Sequence, residues 1–412
     1  MKNSKHSYKK KKGKRKIYWS RIILFLMVVG VIIFRIGYGI STKTNHDNND
    51  NYSIQDNTVQ EAKKEDITIT LSAIGDIMCH GPNYKAAYNA STKTYDFSPF
   101  FTNISTYTSK ADITIGNLET TFAGEARGYS GYPTFNSPAE LGKAIKDIGV
   151  DVLCTANNHC MDKGYSGITN TLDTLDELGF DHMGTSRSIE EQNTILVKNV
   201  NGINIAFLAF TYGTNGISIP AGKEYSVNLI DKDLIRKQIA STKELNVDMI
   251  CVNMHWGIEY ATTPNNEQKE LADFLFDNGV DVILGSHAHV LQPMEKRTIT
   301  LEDGSVKDGF VIYSLGNFVS NQTDINTQDT IILNLQITKS GETGKISIDD
   351  ISYIPVYCYN KGSGTKDRYK LIDLKTTISQ YENGNSSISA SLYNTFKSAL
   401  KRIDKIESMQ QS

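Results

Sequence analysis

From residue 66 onward the sequence predicts an α/β domain built mostly on parallel strands, and three observations lead to that expectation. Short apolar runs of strand length alternate with amphipathic stretches of helical period. Polar segments rich in His, Asp, Asn and Gly follow those runs with unusual regularity. A chain of 412 residues with 39% apolar content can also bury a large core.

Taken in order, the expected strands are Ile67 to Ile74, Ala111 to Ile115, Val152 to Thr155, Ile203 to Phe210, Met249 to Asn253, Val282 to Leu284, Phe310 to Ser314 and Thr330 to Ile337. Helical stretches lie between several of them: Pro138 to Ile148, Gly164 to Leu178, Lys232 to Leu245 and Asn266 to Asp277. Two segments echo one another, Asp147-Ile148-Gly149-Val150-Asp151-Val152-Leu153 and Asp277-Asn278-Gly279-Val280-Asp281-Val282-Ile283. Each fits a helix closed by glycine and followed at once by a strand. No longer repeat surrounds them, so they read as a shared local solution rather than a duplication. Residues 66–340 form the main domain, and residues 341–412 extend it with a strand-like segment, Ile346 to Tyr359, and a final helix, Ser389 to Ile406.

The N-terminal segments differ in kind. Residues 1–40 hold eleven Lys/Arg and no acid, which leaves 32 basic against 46 acidic residues and a net charge of about −14 beyond them. An acidic folded part makes nucleic acid an unsuitable partner. Residues 1–16 read as a basic cytoplasmic tail, and residues 17–40, centred on the apolar run Ile22 to Phe34, as a single transmembrane signal anchor. The charge bias places the N-terminus inside the cell membrane and the rest outside the cytoplasm. Residues 41–65 are rich in Asn, Asp, Lys, Ser and Thr and read as a disordered linker. The five cysteines include no C-x-x-C pair, so they are expected to be mostly small buried hydrophobes.

Five of the eight histidines, His80, His159, His255, His287 and His289, sit in the polar segments that follow the strands, accompanied by Asp76, Glu119 and Asn158. Ligands bind beyond the carboxyl ends of strands in open α/β sheets, so these segments are expected to converge at one rim. Mixed imidazole and carboxylate donors suit Zn, Mn or Fe. Eight donors are enough for two divalent metal ions sharing a carboxylate, the arrangement that activates a water and clamps an in-line displacement. In His287-Ala288-His289 an extended backbone would turn the two imidazoles in different directions.

The strings Gly75-Asp76 with His80, Gly116-Asn117-Leu118-Glu119, Asn157-Asn158-His159 with Asp162, His255-Trp256-Gly257 with Glu259-Tyr260, His287-Ala288-His289 and Tyr313-Ser314-Leu315-Gly316-Asn317-Phe318 resemble, in order and spacing, the calcineurin-like metallophosphoesterases. Their wording is similar to the CapA/PgsA branch, linked to capsule and poly-γ-glutamate synthesis. The resemblance covers about residues 66–330 and implies a sandwich of two mixed β-sheets flanked by helices. It also implies Asp76 and His289 on one metal, Asn158, His255 and His287 on the other, Glu119 bridging, and His159 as acid or stabiliser of the leaving oxygen. Asp162 reads either as the partner that orients His159 or as a helix N-terminal acid. Two positions depart from the superfamily pattern. Met78 stands where the first motif has histidine, with His80 two residues later, so either His80 takes that role from another direction or the first metal loses a ligand. Asn117 stands where the second motif has aspartate, which makes it the alternative bridge to Glu119.

The function expected is a membrane-anchored protein of capsule or poly-γ-glutamate synthesis with a two-metal hydrolase site. Its expected partners are the cell membrane, polymer-synthesis proteins and an anionic polymer or phosphoester. The rivals are an extracytoplasmic phosphoesterase unrelated to capsule and a non-catalytic metal-binding subunit of a synthesis or export complex.

Overall fold

The computed structural model describes residues 64–301, 304–365, 367–386 and 388–408. The basic tail, the expected anchor at 17–40 and all but the last two residues of the expected linker lie outside the described residues. Among the described residues no helix is long and apolar enough to cross a membrane.

In chain order the strands begin with β1 (Ile67–Ile77), β2 (Tyr88–Asn89), β3 (Thr94–Tyr95), β4 (Ile113–Leu118), β5 (Val152–Cys154), β6 (Asp181–Met183), β7 (Leu196–Val200) and β8 (Ile203–Thr211). They continue with β9 (Met249–His255), β10 (Val282–Ser286), β11 (Met294–Thr300), β12 (Val306–Ile312), β13 (Asn317–Val319), β14 (Asp329–Lys339), β15 (Ile346–Asn360) and β16 (Tyr369–Asp373). One sheet has the order β16-β15-β14-β1-β4-β5-β6, with β13 also paired to β1. The other has the order β11-β12-β10-β9-β8-β7, and β2 with β3 forms a separate hairpin. Both sheets are mixed. Their centres, β1-β4-β5-β6 and β8-β9-β10-β12, are parallel, while antiparallel strands flank them.

The two-residue period of a strand sorts the apolar side chains into layers. In β9, Met249 and Cys251 join a core between the sheets, while Ile250, Val252 and Met254 face outward. Val282 and Leu284 of β10 point to the same inner core, with Ile283 on the outer side. On the first sheet Ile113, Ile115, Val152 and Cys154 turn inward, and Leu118 and Leu153 turn outward.

Helices cover each outer face at three- and four-residue spacing. The helices Ala139–Asp147 and Gly164–Glu177 bury Leu141, Ile145, Ile168, Leu172 and Leu175 on the first sheet. Lys232–Lys243 and Asn266–Asp277 bury Ile235, Ile239, Leu271 and Leu275 on the second. The last helix, Ala390–Ser408, sends Phe396, Ala399, Ile403 and Ile406 into the inner core. This is the two-sheet, helix-flanked α/β sandwich that the resemblance implied.

Every expected strand and helix is present with boundaries shifted by a few residues. The echoed segments share their turn: Gly149 and Gly279 have φ of 90° and 102°, and Val280 N–H reaches back to Leu275 O at 3.1 Å. The strands that patterning did not mark include β7 and β11, which lie at the two edges of their sheet. β11 reads Met-Glu-Lys-Arg-Thr-Ile-Thr, and charge on an edge strand blocks pairing with other chains at the expense of an apolar signature.

The lower ends of the second sheet are tied by one carboxylate. Asp281, just before β10, accepts from Ile250 N–H of β9 at 2.7 Å and pairs with Lys307 of β12 at 2.6 Å. Burial raises the pKa of Asp281, and Lys307 pulls it back. Lys307→Met leaves that charge buried without its partner and is expected to cost about 3 kcal/mol at neutral pH. An acid whose folded pKa is raised keeps its full contribution below its unfolded value and loses it as pH rises through the folded one. The variant's deficit in urea unfolding should therefore shrink toward about pH 4 and grow toward neutrality.

Candidate metal centre

Because the central strands of both sheets are parallel, their carboxyl ends open onto one rim. Asp76 ends the regular part of β1, Glu119 follows β4, Asn158 and His159 follow β5, His255 closes β9, and His287 and His289 follow β10. Asp76, Glu119, Asn158, His159, Asp162, His255, His287 and His289 are all buried. The convergence expected from the sequence is present.

Among the described residues two groups of carboxylate and imidazole atoms lie within 4.8 Å of one another: Glu119 with His287 and His289, and Asp76 with Glu119 and His255. Glu119 belongs to both. Its Oε1 is 3.7 Å from His255 Nε2 and 3.7 Å from His289 Nε2, beyond hydrogen-bond reach in each case. Neither of its oxygens has a hydrogen-bond partner, and His287 Nδ1 has none either. Burial pushes the Glu119 carboxyl well above the usual range, and Asp76 adds to the shift by repulsion. Burial lowers His287 to about 4 and holds His255 well below its ordinary value, with neighbouring imidazoles adding to both. The unpartnered His287 Nδ1 and the unpartnered buried Glu119 carboxylate, with His255 and His289 beside them, are what a cation site requires, so the residues fit divalent metal ions.

The surrounding polar groups set ring orientation. His255 Nδ1 lies 2.9 Å from Ser286 Oγ and His289 Nδ1 lies 3.1 Å from Asn317 Oδ1. A proton on His289 Nδ1 would leave its Nε2 free to face Glu119, whereas His255 Nε2 also meets Asn158 Oδ1 at 2.9 Å. Asp76 Oδ1 accepts from Asn117 Nδ2 at 2.8 Å, and its Oδ2 accepts from His287 N–H at 3.3 Å. Asn117 thus turns its amide nitrogen to Asp76. His159 Nδ1 is 2.8 Å from Asp162 Oδ2, which also accepts from Phe135 N–H at 2.6 Å. Asp162 therefore stands as the partner of His159.

Some residues differ from expectation. His80 is in neither group; its Nδ1 accepts from Asn321 N–H at 3.3 Å, and it sits at the N-terminus of the helix Gly81–Ala87 with its ring edge on Phe135. The His287-Ala288-His289 segment is not extended. His287 and His289 have φ of 90° and 57°, so the turn, not a strand's alternation, sets their rings 6.0 Å apart. Both then fall in one group with Glu119, and His255 groups with Asp76, while His289 also keeps the expected nearness to Asp76, its Nδ1 3.2 Å from Asp76 Oδ2. Trp256 is buried, and its Nε1 donates to Tyr313 O at 2.9 Å. Tyr260 is exposed at the rim, 6.2 Å from the His289 ring. The five cysteines are buried, and burial pushes the Cys79 and Cys160 thiols up to about 12, so both behave as small hydrophobes.

Sequence reasoning gave no role to Ser286 or the loop after β8, and marked Asn317 only as part of the Tyr313 to Phe318 string. In that loop Tyr212 stands 4.5 Å from the His287 ring, and Asn215 accepts from Asn158 Nδ2 at 3.1 Å. The signal was available: Thr211-Tyr212-Gly213-Thr214-Asn215 is also a polar segment following a parallel strand.

Residues 70–322 match the family model described as "Bacterial capsule synthesis protein PGA_cap". The chain belongs to this family. Within it, a capsule biosynthesis protein CapA of Bacillus anthracis is 30% identical over 285 residues, covering 68% of this chain and 66% of that relative. A PGA biosynthesis protein CapA of Bacillus subtilis is 35% identical over 214 residues, covering 52% of this chain and 53% of the relative. The matched stretch thus spans less than two thirds of either relative's length. Among solved structures, a putative 5'-nucleotidase from Staphylococcus aureus aligns with a TM-score of 0.46 at 14% identity, over 73% of this chain and 57% of that one.

Proposed function

We propose that this family member is a membrane-anchored, extracytoplasmic protein of capsule or poly-γ-glutamate type polymer synthesis that carries a two-metal hydrolase site. The observation that carries the catalytic part is Glu119, buried, unpartnered and shared by both donor groups. Asp76, Asn158, His255, His287 and His289 would hold the metals around it, with Glu119 rather than Asn117 between them. When bound, such ions lower the pKa of a water and polarise a phosphoryl or carbonyl oxygen.

The chain's own residues supply the rest. His159, held through Nδ1 by Asp162, directs Nε2 to the rim as the group that exchanges a proton beside a leaving oxygen. The walls exclude water from the carboxylate and strengthen every charge interaction there. The substrate is a phosphoester or, by the relatives' capsule role, an amide of an anionic polymer.

A second reading, a metal-binding subunit without turnover, is favoured by one observation. Met78 is buried where the superfamily places a ligand, and His80 does not join either group. Metal analysis of the purified full chain, with assays on a phosphoester and on poly-γ-glutamate for wild type and His287→Ala, tests both readings. Wild type is expected to hold about two divalent ions and to lose activity on substitution. Metal-free protein with no difference between the two would sink the hydrolase reading, and bound metal without turnover would favour the subunit.

A further inference from the structure

The loop after β8 comes from the second sheet, yet its Asn215 touches two residues of the first sheet's rim. Asn158 Nδ2 donates to Asn215 Oδ1 at 3.1 Å, and Asn215 Nδ2 lies 3.5 Å from His159 Nε2, at the long end of hydrogen-bond range. Asn215 has φ of 51°, a left-handed conformation that asparagine tolerates, and this conformation forms part of the loop that carries the amide to the rim.

The polarity of these contacts is consistent along the whole line. Asn158 has one amide oxygen and one NH2 group. With its NH2 taken by Asn215, its Oδ1 is left facing His255 Nε2 at 2.9 Å, on the side of the donor groups. Asn215, having spent its oxygen on Asn158, can offer only its NH2 to His159. A neutral imidazole accepting at Nε2 must carry its proton on Nδ1, and Nδ1 is where Asp162 Oδ2 waits at 2.8 Å. Each group donates or accepts in the one sense its neighbours allow, from Asn158 through Asn215 and His159 to Asp162.

We propose that Asn215 is a positioning residue that fixes the Asn158 amide with its oxygen toward the metal donors and donates to the Nε2 lone pair of His159 at the rim, reinforcing the Nδ1–H tautomer that Asp162 sets. The first half rests on the metal reading above; the second does not, since it concerns a hydrogen bond of the metal-free chain. Asn215 is exposed, so substitution leaves the core intact.

Two variants separate the halves. Asn215→Gly keeps the left-handed backbone and removes both contacts. Asn215→Asp keeps an acceptor for Asn158 but has no donor for His159. The measurements, on the full chain at one fixed pH, are the ring 15N shifts of His159 in the metal-free protein and calorimetric titration with Zn2+ alone. Wild type should show the Nδ1–H pattern. In both variants Asp162 still accepts from Nδ1, but the His159 Nε2 resonance should move as the Asn215 amide donor is lost, furthest in Asn215→Asp. Zn2+ affinity should fall about 10- to 100-fold in Asn215→Gly, and Asn215→Asp should retain more of it. An unchanged His159 Nε2 resonance in both variants, or equal Zn2+ affinity in wild type and Asn215→Gly, overturns the proposal. Wild type that binds no Zn2+ overturns the metal reading and the Asn158 half with it, and the His159 shifts alone then decide the other half.

Discussion

Glu119→Gln is expected to reduce bound divalent metal from about two ions per chain to near none, and to make the metal-free chain more stable rather than less. The first result follows from position: Glu119 is shared by the two donor groups, whereas His289 belongs to one and His255 to the other. His289→Ala and His255→Ala should each retain one ion, measured by elemental analysis after dialysis. The second follows from the unmet needs of the carboxylate. Both oxygens are buried without partners, and Asp76 repels the charge that burial already disfavours. A neutral amide of the same shape removes that penalty and can donate to Asp76, for a gain of about 1 to 3 kcal/mol in urea unfolding of the apo protein. A variant that keeps both ions, or that is less stable without metal than wild type without metal, would contradict the assignment of Glu119 as the shared ligand.

The opposed effects in that one substitution explain why so much of the site could be read in the sequence. Residues kept against their folding cost stand out: Asp76, Glu119, His255, His287 and His289 are polar side chains placed directly after runs that must be buried, and the strand pattern announces the burial. The layers were legible for a related reason, since the apolar alternation of β8, β9 and β10 is a direct record of two faces. The elements that escaped have no such record. β6 and β13 are three residues long, and β11 alternates charge on a sheet edge, so neither length nor hydropathy marks them. The turn at His287 to His289 escaped because its left-handed φ values fall on histidines, not on the glycine or asparagine that would have flagged it. Of the two alternatives left open for His80, the structure favours a lost ligand, because the helix His80 begins turns its side chain to Asn321 and Phe135.

Gly285→Ala is expected to cost about 3 kcal/mol, the upper part of the usual range for overpacking, and to weaken metal binding as well. A Cβ at Gly285 would stand 1.9 Å from Tyr313 O and 2.8 Å from Ile312 O, which are backbone atoms that no rotamer change can move aside. The segment pressing on Gly285 also presses on the other sheet. A Cβ at Gly75 would meet Gly316 O at 2.0 Å. Residues 313–316 therefore run as a wedge between the two rims, accepting from Asp76 N–H at Gly316 O (2.9 Å) and donating from Leu315 N–H to Gly285 O (3.1 Å). Asp76 follows the first glycine and Ser286 and His287 follow the second, so the wedge sets the spacing of donors drawn from different sheets. Pushing it off Gly285 should lower the unfolding midpoint and, in whatever folded fraction remains, reduce Zn2+ affinity by moving Ser286 off His255 Nδ1. Gly213→Ala, where an added Cβ meets nothing within 4 Å, is the control for the substitution itself. Equal stability of the two variants would show that the close approach at Gly285 is not what holds the halves of the donor set in register.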